Sequence, residues 1–169
     1  VAIVRQVVRQ TDEGIRILVE GLYRGKLESV VQDKPFLCAA IVPADERRAA
    51  NTPRTEALMR SVKETFEQYL RMVPRMPPDV IIGVQACEEA GKLADFIASN
   101  VPMHLEQKQE LLCELSDYRR LDKLLVMLLN EIRVLGIELE ISNRVQNQMD
   151  ENQCEYYLRE QIKAIAEEL

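Results

Sequence analysis

The chain has 169 residues, of which 47% are hydrophobic and 30% are charged, and 28 acidic against 22 basic residues give a net charge of −6. This size suits one or two compact domains, and the sequence predicts no membrane span, because no apolar run approaches the roughly 20 residues that cross a bilayer. The acidic balance does not favour nucleic-acid binding, since basic residues occur only as isolated pairs such as Arg47–Arg48 and Arg119–Arg120.

The first 43 residues show the period-two alternation of β-strands. Residues 1–8 and 15–20 form two such runs, and the sequence TDEG at 11–14 predicts a hairpin turn between them. Gly21 and Gly25 then indicate a bend, and residues 36–42 predict a further strand. A sheet this small leaves an edge uncovered, and the chain starts at Val1 rather than Met, so we expect further strands upstream of this sequence.

The period changes to that of helices after Pro43. Thr52 and Pro53 are typical of a helix start, and apolar residues then recur at steps of three and four up to Val73. Prolines at 74, 77 and 78 separate this helix from a second one at about 79–87, and further helices are predicted at 92–99 and 105–115. Residues 44–140 therefore predict a helical bundle.

A long helix is predicted from Asp117 to the end of the chain, because this stretch lacks proline and has Gly136 as its only glycine. Its apolar stripe from Leu121 to Leu139 is typical of a helix packed on the bundle, whereas residues 142–153 are nearly all polar. An unbroken helix of this length would span about 80 Å. We therefore expect residues 141–169 to project from the body as an arm.

The sequence offers little catalytic chemistry. Residues 80–93 mimic a phosphate-binding loop, but Ala86 replaces its first glycine, Leu93 replaces its magnesium-binding hydroxyl, and acidic residues stand where phosphates would bind. His104 has no neighbouring nucleophile or carboxylate in the sequence, which favours a structural or solvated role. The cysteines at 38, 87, 113 and 154 lack zinc-site spacing, which predicts reduced thiols in or near a core.

Several segments resemble the amino-terminal domain of Lon, the ATP-dependent protease. GIRILVEGLYR at 14–24 is similar to the strand pair V-x-V-L-V-E-G-L-x-R of that domain, and MPPDV at 76–80 and LADFIA at 93–98 are similar to its I-P-P-E-V and L-A-D-x-I-A segments. The most specific likeness is NRVQNQM at 143–149 followed by EYYLREQIKAI at 155–165, which resembles the segment preceding the Lon ATPase module. The resemblance covers essentially the whole chain in order.

The resemblance implies an α+β fold with a partial β-subdomain at 1–43, a helical bundle at 44–140 and a coiled-coil-like arm at 141–169 that leads to an AAA+ ATPase. For the intact protein it implies a hexameric ATP-dependent serine endopeptidase with a Ser-Lys dyad, acting in protein quality control. The compartment would be the bacterial cytoplasm, with an organelle matrix as the alternative. ATP and Mg would bind in the ATPase module, so no residue here is assigned to catalysis, a cofactor or a metal.

Two surfaces are candidate sites. The arm carries residues expected to dock on the ATPase ring or on neighbouring subunits, namely Tyr156, Tyr157, Leu158, Ile162 and Ile165. The two tyrosines and the aliphatic residues are expected to share one apolar face of the helix. Met72 and Met76 could line an adaptable groove for unfolded protein, although methionine at helical spacing is more often ordinary core filler.

Three functions remain open from the sequence. The first is recognition and positioning of unfolded or damaged protein for ATP-driven degradation. The second is an architectural spacer whose arm supports hexamer assembly. The third is a stand-alone regulatory module that binds small ligands or partners, against which the arm argues, because such a module has no ring to reach.

Overall fold

The computed structural model describes residues 1–10, 14–73 and 77–168. In these ranges four strands precede five helices, which confirms the predicted α+β order. The strands are β1 (Ala2–Gln10), β2 (Gly14–Gly21), β3 (Gly25–Gln32) and β4 (Cys38–Pro43). The helices are α1 (Pro53–Met72), α2 (Pro78–Ala86), α3 (Ala90–Asn100), α4 (Leu105–Cys113) and α5 (Asp117–Glu168).

The strands form two separate antiparallel pairs rather than one sheet. β1 pairs with β2, with Val4 opposite Val19 and a register shift between Val4 and Gln6, and β3 pairs with β4. This confirms the predicted hairpin, although residues 11–13 of its turn lie outside the described residues. Gly14 has a φ of 111°, a conformation that side chains with a Cβ rarely adopt, so glycine suits the end of that turn. We call residues 1–43 the strand region.

Helix α1 begins as the sequence predicts. The side-chain oxygen of Thr52 accepts a hydrogen bond from the backbone N–H of Thr55 at 3.2 Å, and Pro53 occupies the first helical position. The cap supplies an acceptor for an N–H that the helix itself cannot satisfy. Helix α2 likewise begins with a proline, Pro78, so both starts predicted from proline are confirmed.

The core of the molecule lies within the helical bundle. Among the described residues, no buried residue precedes Thr55. Each fully buried leucine, such as Leu93 or Leu124, contributes about 1.5–3 kcal/mol of transfer free energy, so these helices hold the fold together. The buried apolar residues come from all five helices and from Val101, which directly follows α3: Leu58, Val62, Phe66, Tyr69, Val80, Val84, Ala90, Leu93, Ala94, Ile97, Val101, Leu111, Leu121, Leu124 and Leu128.

Helix α5 is both a core element and a projection. Its first turns contribute the fully buried Leu121, Leu124 and Leu128, whereas every described side chain from 137 to 167 is exposed. The helix has 52 residues, which corresponds to about 78 Å at 1.5 Å per residue. The predicted projecting helix is therefore present, and we call residues 141–168 the arm.

The cysteines differ from expectation in their placement. All four are free, but Cys38, Cys113 and Cys154 are exposed, and only Cys87 packs partly against the core. The prediction of cysteines in or near a core is therefore wrong for three of them. The reason is topological, because these three lie at a strand start, at a helix end and on the arm, where no packed layer covers them.

Candidate functional site

Arg24 connects the strand region to the helical bundle. It lies between β2 and β3, and its Nη2 donates to Asp95 Oδ1 on α3 at 2.6 Å. Its Nη1 donates to Glu46 Oε1 at 3.2 Å, and its Nε donates to the carbonyl oxygen of Leu112 on α4 at 3.1 Å. With its side chain only 13% exposed, one guanidinium thus joins the strands to two helices and to the segment before α1.

A second arginine, Arg120, binds the same carboxylate from the other side. Its side chain is 1% exposed, its Nη1 donates to Asp95 Oδ2 at 3.0 Å, and its Nε donates to the carbonyl oxygen of Glu114 at 3.0 Å. Its Nη2 lies 3.3 Å from Asp117 Oδ1 but has no hydrogen-bond partner among the described residues. Asp95 therefore holds Arg24 with one oxygen and Arg120 with the other, and we call Arg24, Glu46, Asp95, Asp117 and Arg120 the ionic cluster.

Backbone hydrogen bonds attach the segment before α1 to the start of α5. The N–H of Arg47 donates to the carbonyl oxygen of Leu115 at 2.9 Å, and the N–H of Asp117 donates to the carbonyl oxygen of Arg47 at 3.1 Å. The N–H of Ala49 donates to Asp117 Oδ2 at 3.4 Å. The connection between strands and helices is thus fixed at the base of the long helix.

The electrostatics of this region favour charged forms. Burial lowers the pKa of Arg24, but hydrogen bonding and Coulomb attraction to Asp95 and Glu46 outweigh this effect, so the pKa of Arg24 is raised above its ordinary value. The Ser116 N–H donates to Glu114 Oε1 at 3.2 Å, which lowers the pKa of Glu114. Burial opposes that decrease, and Lys123 adds to it. Both shifts favour the charged forms of Arg24 and Glu114.

The five predicted docking residues of the arm are all exposed, by 51–68%. An α-helix turns by about 100° per residue, so Leu158, Ile162 and Ile165 share one face while Tyr156 lies about 200° round the helix from Leu158. Tyr157 lies between these two directions, where the Gln161 side chain donates to its hydroxyl at 3.0 Å. The single apolar face expected from the sequence is therefore divided.

Tyr156 instead continues an apolar stripe from the earlier part of the arm. Met149 lies four residues after Val145 and seven residues before Tyr156, so the three side chains share one face of α5. They are exposed by 53%, 60% and 67% respectively. The arm thus presents two apolar stripes on opposite sides, one before residue 157 and one after it.

The predicted methionine groove is described only in part. Met72 is the last residue of α1, is partly buried, and places its methyl carbon 3.8 Å from where a Cβ atom on Gly136 of α5 would lie. It therefore packs at the junction of α1 and α5. Met76 lies outside the described residues, so the groove stays a prediction.

Comparison with known proteins identifies the family. A family described as "ATP-dependent protease La (LON) substrate-binding domain" matches residues 1–130. The chain belongs to this Lon family. It is 44% identical over 169 residues to the Lon protease of Brevibacillus choshinensis, and 42% identical over 170 residues to that of Syntrophomonas wolfei. These alignments cover 100% of this chain but only 22% and 21% of the relatives, so the chain spans about a fifth of their length.

A solved structure shows the same fold as this Lon-family chain. The N-terminal domain of Mycobacterium avium complex Lon protease superposes with a TM-score of 0.62 at 23% sequence identity. The match covers 75% of this chain and 67% of that one. The arrangement of strands followed by helices is therefore shared with a Lon N-terminal domain.

The segment that mimics a phosphate-binding loop has another role in this Lon-family fold. Val80 and Val84 are buried on helix α2 rather than in a strand, and Gly91 packs against the Asp117 carboxylate. Lys92 Nζ pairs with Glu89 Oε1 at 2.6 Å, so its charge is directed to a protein carboxylate.

Within 1–10, 14–73 and 77–168, no helix is long and apolar enough to cross a bilayer, and no three potential ligands cluster as a metal site requires.

The ionic cluster escaped sequence reasoning. Arg24 and Asp95 are 71 residues apart, and no local period links them. In the sequence Arg120 is one half of an isolated basic pair with Arg119, whereas in the structure its side chain is buried on the side of α5 that carries Leu121 and Leu124. Its spacing from Leu124 was the available signal, since an arginine four residues before a core leucine lies on the same helix face.

Proposed function

We propose that this chain is the client-engaging amino-terminal region of an ATP-dependent Lon protease. It binds unfolded or damaged protein and presents it to ATPase and Ser-Lys protease modules of the same polypeptide, in the bacterial cytoplasm. ATP and Mg belong to the ATPase module, and no residue of this chain takes part in bond cleavage. The observation that carries the proposal is the match of residues 1–130 to the Lon substrate-binding domain.

The surface supports weak and repeated contacts with clients. A net charge of −6 attracts basic stretches of unfolded protein, and a methionine-lined groove around Met72 would adapt to varied apolar side chains. Weak contacts of this kind gain avidity when several copies act on one client, which fits a hexameric assembly.

Site-specific crosslinking in the full-length protease tests this function. A photoreactive residue at Met72 should crosslink to an unfolded casein-like client, whereas the same residue at Arg144 on the polar part of the arm should not. Competition by excess unlabelled client should abolish the product at Met72. If photoreactive residues across the strand region and the bundle give no client adduct, client engagement by this region is ruled out.

The exposed arm favours a second candidate function, an architectural spacer. Every described side chain from 137 to 167 is exposed. Exposure of the apolar side chains among them costs free energy unless they pack on another surface. The stripe of Leu158, Ile162 and Ile165 would dock on the ATPase ring or on a neighbouring subunit. Gln148→Pro, within the polar part of the arm, should then uncouple ATP hydrolysis from proteolysis, while Gln148→Ala should not. Client crosslinking at Met72 should persist in both variants, which separates the two functions.

The third candidate, a stand-alone regulatory module, has less support. The relatives of this chain reported above are named Lon protease and are about five times as long as the chain. A stand-alone module would also need no arm. The length of the messenger RNA's open reading frame decides this point directly.

A further inference from the structure

We propose that Arg24, Asp95 and Arg120 form an ionic joint that sets the orientation of the strand region on the bundle and links it to the base of α5. Such a joint would act in the intact protein whichever of the proposed functions is correct. The strands bury little apolar surface.

Apolar packing does not fix the strands on the helices. In the described ranges no residue before Thr55 is buried, and the core cluster draws its members from residues 58–128. Within the strand region, only Arg24, Gln32 and Ala40 are even partly buried among the described side chains. A surface without a buried apolar interface resists rotation only through specific polar contacts.

The backbone supplies one attachment point. Arg47 is hydrogen-bonded to both Leu115 and Asp117 at the base of α5, and β4 ends at Pro43, so only residues 44–46 separate the strands from this anchor. A single short connection limits the distance between the strand region and the bundle, but it lets the strand region rotate. A second point of attachment is needed to define the orientation.

Arg24 is that second point. Its guanidinium reaches Asp95 on α3 at 2.6 Å and the Leu112 carbonyl oxygen on α4 at 3.1 Å, so it contacts two helices with a fixed fork of donors. Hydrogen bonds between ionised groups are about twice as strong as neutral ones, and the planar guanidinium restricts their geometry. Lysine at this position would keep the charge but lose the fork.

Asp95 extends the attachment to the long helix. Its second oxygen accepts from Arg120 Nη1 at 3.0 Å, and Arg120 lies in the first turn of α5 with 1% of its side chain exposed. A shift of Arg24 therefore changes the balance of charge on a carboxylate that also holds the base of α5. The two arginines occupy different environments, since Arg24 is at the rim and Arg120 is within the core.

Distance measurement between two native cysteines tests the joint. Cys38 begins β4 in the strand region, Cys113 ends α4 in the bundle, and both are exposed. With Cys87→Ala and Cys154→Ser in place, spin labels at these two positions report the separation of strands and bundle. We expect one narrow distance in the parent chain, and its loss in Arg24→Met.

A matched control and a salt series sharpen the test. Arg5→Met removes an arginine that pairs with Glu20 within the first hairpin, and it should leave the distance unchanged. Raising the salt concentration to about 1 M shortens the screening length to about 3 Å and should broaden the parent distribution but not that of Arg24→Met. Asp95→Asn should broaden the distance and also weaken the bundle, because it leaves Arg120 buried with less compensation.

Two further readouts make each outcome decisive. Helical circular dichroism and amide-exchange protection of the β1–β2 ladder report whether both parts stay folded. A broadened distance with both signals retained supports the joint. An unchanged distance in Arg24→Met, or a broadened one accompanied by loss of either signal, overturns it, because the residue would then be dispensable or a determinant of folding rather than of orientation.

Discussion

Gly91 faces the carboxylate of Asp117 so closely that a Cβ atom on the glycine would lie 2.5 Å from Oδ1. This contact lets α3 approach the first turn of α5, where Asp117 also accepts from the Ala49 N–H and lies beside Arg120. Gly91 is thus required by packing and by charge, since nothing larger fits without moving an anchored carboxylate.

Gly91→Ala should destabilise the chain by about 1–3 kcal/mol, because the added methyl group displaces Asp117 from its partners. Urea unfolding followed by circular dichroism measures the change. Gly136→Ala is the matched control in a helix, where the new Cβ meets only Met72 Cε at 3.8 Å. It should stabilise the chain by about 0.5–1 kcal/mol, since alanine costs less entropy than glycine in a helix. Equal effects at the two sites would contradict the packing argument.

Gly83→Ala should also be destabilising, for a different reason. A Cβ atom there would overlap the ring of Phe96, with Cε1 at 2.8 Å. Because the obstacle is one side chain, Phe96→Leu should relieve it, and the cost of Gly83→Ala should be smaller in that background. A double-mutant cycle from urea unfolding gives the interaction free energy, which we expect to reach about 0.5–3 kcal/mol. Strictly additive free-energy changes of the two substitutions would show that the Phe96 ring does not limit how closely α2 approaches α3.

Glu114 should contribute to the loss of stability in acid. Its folded-state pKa is lowered by the Ser116 N–H in the first place, with burial opposing and Lys123 assisting. The stabilisation is present above the ordinary value of 4.5 and is lost as pH falls through the lower folded-state pKa. Glu114→Gln should therefore reduce the free energy of unfolding near neutral pH. On acidification below pH 4.5 the variant should lose less of that free energy than the parent does. Unfolding free energies from pH 7 downwards, with Glu160→Gln on the exposed arm as control, test this, and parallel curves would refute it.

Removal of the arm should leave the bundle intact. Every side chain that the structure describes beyond Arg144 is exposed, so the unfolding free energy of a chain ending there should change by less than about 0.5 kcal/mol while its helical signal falls. A cut that also removes the fully buried Leu128 should instead prevent folding. Urea titrations of both truncated chains measure the difference. Marked destabilisation by the first truncation would mean that the arm folds back on the body.

Local sequence patterns predict most of the secondary structure. The hairpin, the Thr52 cap and the length of α5 follow from turn residues, capping chemistry and the absence of proline, each readable within a few residues. The division of the arm's apolar residues also follows from helix geometry once the helix is known to be unbroken, because Tyr156 and Leu158 are two residues apart and therefore nearly opposite.

Long-range contacts could not be predicted in this way. Arg24 meets Asp95 and Arg120 only because the strand region returns to the base of α5, and charged residues seldom read as buried from composition. The pairing of strands into two separate sheets depends equally on tertiary arrangement, since no local pattern in residues 1–43 separates β1 and β2 from β3 and β4. The sequence therefore predicts the helices well, misses strand β3 and predicts the polar contacts between elements poorly.

The continuity of α5 has a mechanical consequence. The same unbroken helix is clamped at one end among Leu121, Leu124 and Leu128 and is free of the body over its last 40 Å or so. A tilt of about 5° at the clamped end then moves the tip of the helix by about 5 Å, because the tip lies about 60 Å beyond Leu128 at a rise of 1.5 Å per residue. Rearrangements too small to alter the packing of the bundle are thereby amplified into displacements of several ångströms at the far end of the helix.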